Sequence, residues 1–250
     1  MNLLLALAII LPVLFSPHPS AHSRPELLPA YSAIKEIPLP PGYERVPADA
    51  HSFTAWLRNR RLRSDNTVYL YNGLVKRNQG AQFAVLDISV GREDLQQCAD
   101  AVMRLRAEYL YEEQRWKEIV FKDNASHPYS YRHGKDRVAF DRYLRTVFAY
   151  CGTASLEKQM RLVSRLQDIQ AGDVLIKGGF PGHAVMVMDV AQNGKKEKIY
   201  LLAQSYMPAQ DIHLLKNPMD PRNSPWYKVA ENQDIITPEW VFEHNRLRSW

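Results

Sequence analysis

Cys98 combines a nucleophilic side chain with a position that favours nucleophilic chemistry. It lies in the segment Asp94–Ala101 (DLQQCADA), the first turns of the clearest helical pattern in the 250-residue sequence. Unpaired N–H groups and the helix dipole at such a position lower a thiol pKa toward the reactive thiolate. The same N–H groups, with the Gln97 carboxamide beside them, can hold the negative oxygen of an acyl-transfer intermediate. We therefore interpret Cys98 as a candidate nucleophile and Gln97 as a candidate oxyanion donor.

The two cysteines of the chain leave three alternatives open. Cys98 shares an apolar stripe with Leu95, Val102 and Leu105, a pattern that is also typical of an inert core cysteine. Cys151 is a rival nucleophile, since it directly precedes another predicted helix. In an exported protein, Cys98 and Cys151 could instead form one structural disulfide.

His183 is the candidate general base. It follows the turn Gly178–Gly182 (GGFPG) and opens the apolar segment Ala184–Val190 (AVMVMDV), which predicts a histidine at the mouth of a strand. Such a side chain is held on one side and accessible on the other, which suits proton transfer to and from a substrate. A structural histidine that is simply satisfied by its neighbours is the alternative.

Gln204 is the candidate partner that orients His183. Asn193-Gly194 is a favoured two-residue hairpin loop, and with that loop His183 lies directly opposite Gln204 on the next strand. If the loop is two residues longer, His183 faces Tyr206 and Gln204 becomes a diagonal neighbour. The carboxamide oxygen of Gln204 can accept a proton from the imidazole and so fix its tautomer. The alternative is that Gln204 is only a polar residue at a strand end, without a functional role.

The elements that must position these side chains indicate an α+β fold. Helical periodicity is followed by three apolar strands in close order, which predicts helices packed on a compact antiparallel sheet. The helices are expected over residues 94–116, 140–150, 155–165 and 238–244, and the strands over 174–176, 184–190 and 199–203.

The first residues predict export. Residues 3–15 (LLLALAIILPVLF) are apolar but shorter than the roughly 20 residues that span a bilayer as a helix. The small residues that follow favour a signal peptide over residues 1–22, and proline-rich residues 23–50 favour an extended arm. A single α+β domain is expected over residues 51–250, in a periplasmic or secreted protein.

Composition and missing motifs exclude several functions. The net charge of +5 is spread along the chain without a long basic run, so a nucleic-acid partner is not expected. Zincin, phosphate-binding and dinucleotide-binding motifs are missing, and we expect no metal and no cofactor. A site made from His183, Asp189 and His213 is a weak alternative, since the first two lie about 20 Å apart along one strand.

Four segments follow the order found in papain-like cell-wall hydrolases of the NlpC and CHAP types. They are Gln97-Cys98, Gly172–Ile176 (GDVLI), Gly182–Val187 (GHAVMV) and Ala203–Ser205 (AQS). The chain resembles these families in placing a cysteine at a helix start, a histidine at a strand start and a polar residue on the following strand. The resemblance implies a papain-like α+β fold and cysteine hydrolase chemistry.

A closer resemblance is to an exported bacterial family known as domain of unknown function 4846. It rests on Asp94–Tyr111, Gly178–His183 and Leu202–Asn217 (LAQSYMPAQDIHLLKN). The resemblance implies export and a shared fold, and it implies no established activity. Within the third segment, Ser205 and Tyr206 are candidate substrate-binding residues beside the predicted site.

Two functions therefore compete. The first is an exported cysteine endopeptidase or amidase that cleaves amide bonds in cell-wall peptides, with Cys98, His183 and Gln204 as catalytic residues. The second is a non-catalytic binding or structural protein on the same scaffold. Either would have a cell-wall peptide or glycopeptide as partner, with membrane contact only if the leading segment stays uncleaved.

Overall fold

Helices and antiparallel β-strands share the regular structure in the computed structural model, which describes residues 31–250. The α-helices of this part are α1 (Phe53–Arg58), α2 (Cys98–Glu112), α3 (Arg137–Tyr150) and α4 (Thr153–Gln159). The strands are β1 (Tyr43–Arg45), β2 (Gln82–Val85), β3 (Val120–Lys122), β4 (Pro128–Ser130), β5 (Arg161–Leu162), β6 (Val174–Lys177), β7 (His183–Asn193), β8 (Lys198–Gln204), β9 (His213–Leu215), β10 (Tyr227–Lys228), β11 (Ile235–Ile236), β12 (Val241–Phe242) and β13 (Leu247–Ser249).

One nine-stranded antiparallel sheet organises the described residues. Its order is β2-β9-β8-β7-β6-β13-β5, while β1 pairs with β7 and β10 pairs with β8 outside that path. Two further hairpins are formed by β3 with β4 and by β11 with β12. The predicted α+β class, with an antiparallel sheet, is confirmed.

The central strand β7 is apolar at nearly every position because both of its faces are covered. Ala184 and Met186 face the hydrophobic cluster that contains α2, whereas Val185 and Val187 face a second cluster on the other side of the sheet. Successive side chains of a strand point to opposite faces, so a strand buried on both sides has a continuous apolar sequence.

Helix α2 is shorter than its sequence pattern predicts. It begins at Cys98, where the Asp100 carboxylate accepts a hydrogen bond from the Gln97 N–H at 2.9 Å and so satisfies a donor that precedes the first turn. Asp94, predicted as the first helical residue, instead accepts from the backbone N–H of Ala209 at 2.7 Å. Cys98 is therefore the first residue of the helix.

Two of the predicted helices are wrong in whole or in part. Residues 238–244 include β12 and no helix, because Thr237 closes a tight turn by exchanging hydrogen bonds with Trp240. The helix predicted over residues 155–165 ends at Gln159, after which β5 joins the sheet beside β13. In both places neighbouring strands outweigh the local helical pattern.

The described part of the predicted arm packs against the sheet. Ile34 and Ile37 are fully buried, and β1 pairs with the far end of β7. Arg45 of β1 and Arg58 of α1 bind the two carboxylate oxygens of the buried Asp189 at 2.7 and 2.6 Å. Residues 1–30, including the predicted signal peptide, lie outside the described residues.

Candidate active site

The imidazole of His183 is held at the mouth of β7 by a hydrogen bond and by aromatic rings. Its Nε2 lies 2.8 Å from Gln204 Oε1. The rings of Tyr206, Trp240 and Phe242 surround it, with centroids 4.7, 5.2 and 5.8 Å away. These contacts leave His183 almost fully buried and fix the orientation of its ring.

The strand register follows the longer-loop alternative, so direct pairing of His183 with Gln204 is wrong. Gln192 pairs with Lys198 rather than Lys195, which makes the loop three residues longer than the two-residue form. A bulge in β7 between Val187 and Asp189 then shifts the register back by one residue. The remaining shift of two residues, continued to the start of β7, aligns His183 with Tyr206. Gln204 stays on the same face of the sheet as a diagonal neighbour of His183.

A buried ion pair fixes the carboxamide of Gln204. Its Nε2 donates to Glu239 Oε2 at 2.7 Å, and the same carboxylate oxygen accepts from Lys76 Nζ at 2.5 Å. Because Nε2 donates to a carboxylate, Oε1 must be the acceptor that faces His183. The His183 proton therefore lies on Nε2, and Nδ1 carries the lone pair.

His213 completes this network from the neighbouring strand. Its Nδ1 donates to the backbone oxygen of Asp211 at 2.9 Å, which leaves its Nε2 as an acceptor 3.4 Å from Gln204 Nε2. Burial lowers the pKa of His183 to about 4 and that of His213 to about 3. Both rings are therefore neutral at pH 7, and His183 can accept a proton.

Cys98 lies beside this histidine, across the start of β7. Its thiol packs against the backbone amides of Cys98, Ala99 and Ala184, the last of which directly follows His183. No hydrogen bond joins the sulfur to the His183 ring among residues 31–250. The described structure therefore brings the thiol and the imidazole to one strand end without a hydrogen bond between them.

The thiol pKa is shifted in the direction opposite to the sequence prediction. Burial, and then the nearby Asp100 carboxylate, raise the pKa of Cys98 to about 11, although the N–H groups of the first helical turn act to lower it. The predicted thiolate at this helix start is therefore wrong for the resting protein. Desolvation of a nearly buried sulfur outweighs the helix N-terminus.

A cavity of about 750 Å³ connects the candidate residues. Cys98, His183, Gln97 and Tyr206 all line it. Apolar side chains form most of the wall, and Phe180 and Met207 at its edge are exposed to solvent. The cavity is the space in which a substrate would meet both the thiol and the imidazole.

Ser205 and Gln97 differ in how they relate to this cavity. Ser205 is fully buried and is not part of the lining; its hydroxyl contacts the backbone oxygens of Gln96 and Gln210 at 3.0 and 2.8 Å. It therefore holds the segment before α2 instead of facing a substrate. Gln97 lines the cavity, but its Nε2 donates to Asp94 Oδ1 at 3.2 Å and must turn to reach an oxyanion.

Cys151 lines the same cavity as a free thiol. It caps the end of α3, and burial raises its pKa to about 12. Cys98 is likewise free, so the two cysteines do not form the alternative disulfide. The two thiols approach one cavity from two helices.

Comparison with known families gave one match. The family model described as domain of unknown function (4846) matches residues 34–135 and 122–249. The chain belongs to this family. No curated protein and no solved structure is significantly similar to it. The match covers every residue of the 4846-family site described above.

Sequence reasoning missed three residues of this 4846-family site: Lys76, Glu239 and Asp100. Lys76 and Glu239 are 163 positions apart, so no local pattern could pair them. Asp100 lines the cavity; its Oδ1 is buried without a hydrogen-bond partner among the described residues, and burial raises its pKa well above the usual range. The spacing Gln97-x-x-Asp100 resembles a capping box and was the available signal.

The weak metal alternative fails on geometry in this member of the 4846 family. Both carboxylate oxygens of Asp189 are bound by arginines, so they are not available to His183 or His213. Within residues 31–250, no group of three or more histidine, cysteine or acidic side chains is spaced to hold a metal ion.

Over residues 31–250, no helix combines the length and the apolar character that a membrane crossing requires.

Proposed function

We propose that the chain is an exported cysteine hydrolase of the papain-like type that cleaves amide bonds. The observation that carries the proposal is the hydrogen bond from His183 Nε2 to Gln204, whose carboxamide is fixed by Glu239. This arrangement assigns the base lone pair to Nδ1, in a cavity that Cys98 also lines.

In the proposed reaction, the Cys98 sulfur attacks the amide carbonyl while its proton moves to His183 Nδ1. The tetrahedral intermediate collapses to a thioester as the amine leaves with that proton. A water molecule then attacks the thioester carbonyl and gives a proton to His183. The C–S bond breaks, the carboxylic acid product is released, and His183 returns the proton to the Cys98 sulfur. Thiol and imidazole are both neutral at rest, so proton transfer must accompany the attack rather than precede it.

Two features favour this proton transfer once substrate is bound. The hydrogen bond to Gln204 and the nearby charge of Glu239 both act to raise the pKa of His183, so they stabilise the forming imidazolium. The backbone N–H groups of Cys98 and Ala99 lie at the sulfur and at the start of α2, where an oxyanion would form.

We further propose that the amide belongs to a cell-wall peptide. This part rests on the resemblance to NlpC-type and CHAP-type hydrolases and on the predicted export signal. The exposed Phe180 and Met207 offer an apolar edge along which an extended peptide could lie. The mostly apolar wall favours a neutral or apolar group next to the scissile bond.

A non-catalytic binding protein is the second candidate, and one observation favours it. The Cys98 thiol is only 8% exposed, and its pKa of about 11 makes it a weak nucleophile in the free protein. In that case the cavity would bind a peptide or glycan, and the network of His183, Gln204 and Glu239 would only shape its wall.

The discriminating experiment compares Cys98→Ala with Cys151→Ala in the purified full-length chain. Both variants remove one thiol from the same cavity, so they are matched in chemistry and location. Muropeptides are incubated with each protein, and released fragments are separated by chromatography. We expect loss of cleavage in Cys98→Ala and retention in Cys151→Ala.

The outcome of this comparison separates the two candidates. Cleavage that persists at the wild-type rate in Cys98→Ala removes the proposed nucleophile. Muropeptide binding to wild type and Cys98→Ala alike, with no cleavage by either, supports the binding protein.

A further inference from the structure

A second pocket lies beside the candidate active site, between the segment that precedes α2 and the adjoining faces of α2 and α3. Its volume is about 510 Å³. Leu95 and Phe148 line both this pocket and the cavity of Cys98, so a thin apolar wall separates the two spaces. Neither the sequence nor the proposed reaction assigns it a role.

Arginine dominates the charge of this pocket. Four arginines and two carboxylates line it, so the lining carries a net positive charge at neutral pH. Those charged residues are Arg92, Arg104, Arg137, Arg145, Glu93 and Asp141.

The carboxylates neutralise only part of this charge. Arg145 pairs with Glu93, and Arg137 pairs with Asp141 at 2.9 Å. Arg137 also makes a two-pronged pair with Glu108 at 2.6 and 2.8 Å, and Glu108 lies 3.6 Å from Arg104 Nε. Among the described residues, Arg92 is the lining arginine without an ion-pair partner.

Two buried N–H donors at the base of the pocket have no hydrogen-bond partner among the described residues. The side chain of Gln96 is 1% exposed; its Oε1 accepts from Arg104, and its Nε2 has no partner. Arg104 Nε is also without a hydrogen bond, since the nearest carboxylate oxygen, on Glu108, is 3.6 Å away. Buried donors are almost always satisfied, so two unsatisfied donors side by side point to a missing acceptor.

The positive charge of the pocket and its unpartnered N–H donors favour the same kind of ligand. Guanidinium groups and amide N–H groups all donate, and an oxygen anion can accept from several of them at once. We propose that this pocket binds an oxyanion group, either a carboxylate or an inorganic tetrahedral anion.

The test is titration calorimetry of the full-length chain with sodium sulfate and, separately, with N-acetylglutamate. Both titrations are made at constant ionic strength with sodium chloride, so that general screening stays the same. We expect saturable binding of at least one probe. Binding of the amino-acid derivative alone identifies a carboxylate site, and binding of sulfate identifies a site that accepts free tetrahedral anions.

Variants locate the binding. Gln96→Glu replaces the unpartnered donor with a carboxylate, and we expect it to weaken binding at least about tenfold. The double variant Arg92→Gln with Arg145→Gln changes only exposed side chains of the pocket, and it should weaken binding to a similar extent. Arg132→Gln removes an exposed arginine that does not line the pocket, and it should leave the affinity unchanged.

Three results would overturn the proposal. They are no saturable binding of either probe, equal weakening in Arg132→Gln, and full affinity in the double variant. Circular dichroism of each variant verifies the fold. If Gln96→Glu does not fold, the double variant still tests the proposal. Binding is measured without any substrate, so the result is independent of whether Cys98 is catalytic.

Discussion

His183 donates its Nε2 proton to Gln204 Oε1 at 2.8 Å although the two residues are not opposite each other in the sheet. The extra residue of the β7 bulge produces this relationship. Without the bulge, the hairpin register would turn the Gln204 side chain to the opposite face. The hydrogen bond therefore depends on a backbone irregularity far from the cavity.

Replacing Gln204 with alanine should reduce hydrolysis without abolishing it. The imidazole would lose the acceptor that fixes its tautomer, and misplacement of a catalytic group by about 1 Å costs roughly 10²-fold in rate. The measurement is the muropeptide cleavage rate as a function of pH, with the exposed Gln233→Ala as control. An unchanged rate would show that Gln204 does not position the base.

Replacing Glu239 with glutamine should destabilise the protein. Lys76 is largely buried, and it would lose its carboxylate partner while keeping its charge. Breaking such a pair from one side costs about 3 kcal/mol in the free energy of unfolding. Urea denaturation measures this cost.

The double variant Lys76→Met with Glu239→Gln is the control for that effect. It removes both charges, so we expect it to recover much of the lost stability. If it is as unstable as the single variant, the uncompensated lysine is not the cause.

The buried histidines should make stability fall as the pH drops below about 6.5. An unfolded histidine binds a proton near pH 6.5, whereas folded His213, with a pKa of about 3, stays neutral. The unfolded state therefore binds more protons between these values, and His213 contributes a loss of about 2 kcal/mol between pH 7 and pH 5. His183 acts in the same direction.

The buried carboxyl groups partly oppose this effect. Burial raises the pKa of Asp173 to about 6, so the folded state binds the extra proton there and gains stability as the pH falls. The measurement is therefore the free energy of unfolding lost between pH 7 and pH 5, compared between wild type and His213→Asn. We expect the variant to lose less stability than wild type between pH 7 and pH 5 in denaturant titrations, and equal losses would contradict the assignment.

Cys98 should react slowly with alkylating reagents in the free protein. Its pKa of about 11 lowers the thiolate fraction at pH 7.5 by roughly 10²-fold relative to an ordinary cysteine. Asp100→Asn removes the neighbouring carboxylate and should increase the rate. The rate of iodoacetamide labelling in a Cys151→Ala background measures this, with the exposed Asp141→Asn as control.

Fast labelling of Cys98 at neutral pH would contradict this electrostatic description. It would also indicate that the sulfur is more accessible in solution than its 8% exposure suggests.

Local sequence was sufficient for the α+β class, and it nominated the Cys98, His183 and Gln204 positions, whose catalytic roles stay predictions. Alternating and helical periodicities report which face of an element is buried, and the turn before His183 marks a strand start. The same signals misplaced the ends of α2 and predicted a helix at residues 238–244. There, tertiary contacts of Asp94 and the Thr237 turn outweigh local preference.

The sequence by itself determined that Cys98 lies in the first turns of a helix, that His183 begins a strand and that Gln204 lies near it. Only the tertiary structure decided that Lys76 and Glu239 fix Gln204, and that Cys98 is protonated at rest. The physical reason is that an ion pair between distant segments, and the desolvation of a sulfur, depend on what surrounds a group in space. No local spacing of residues encodes that environment.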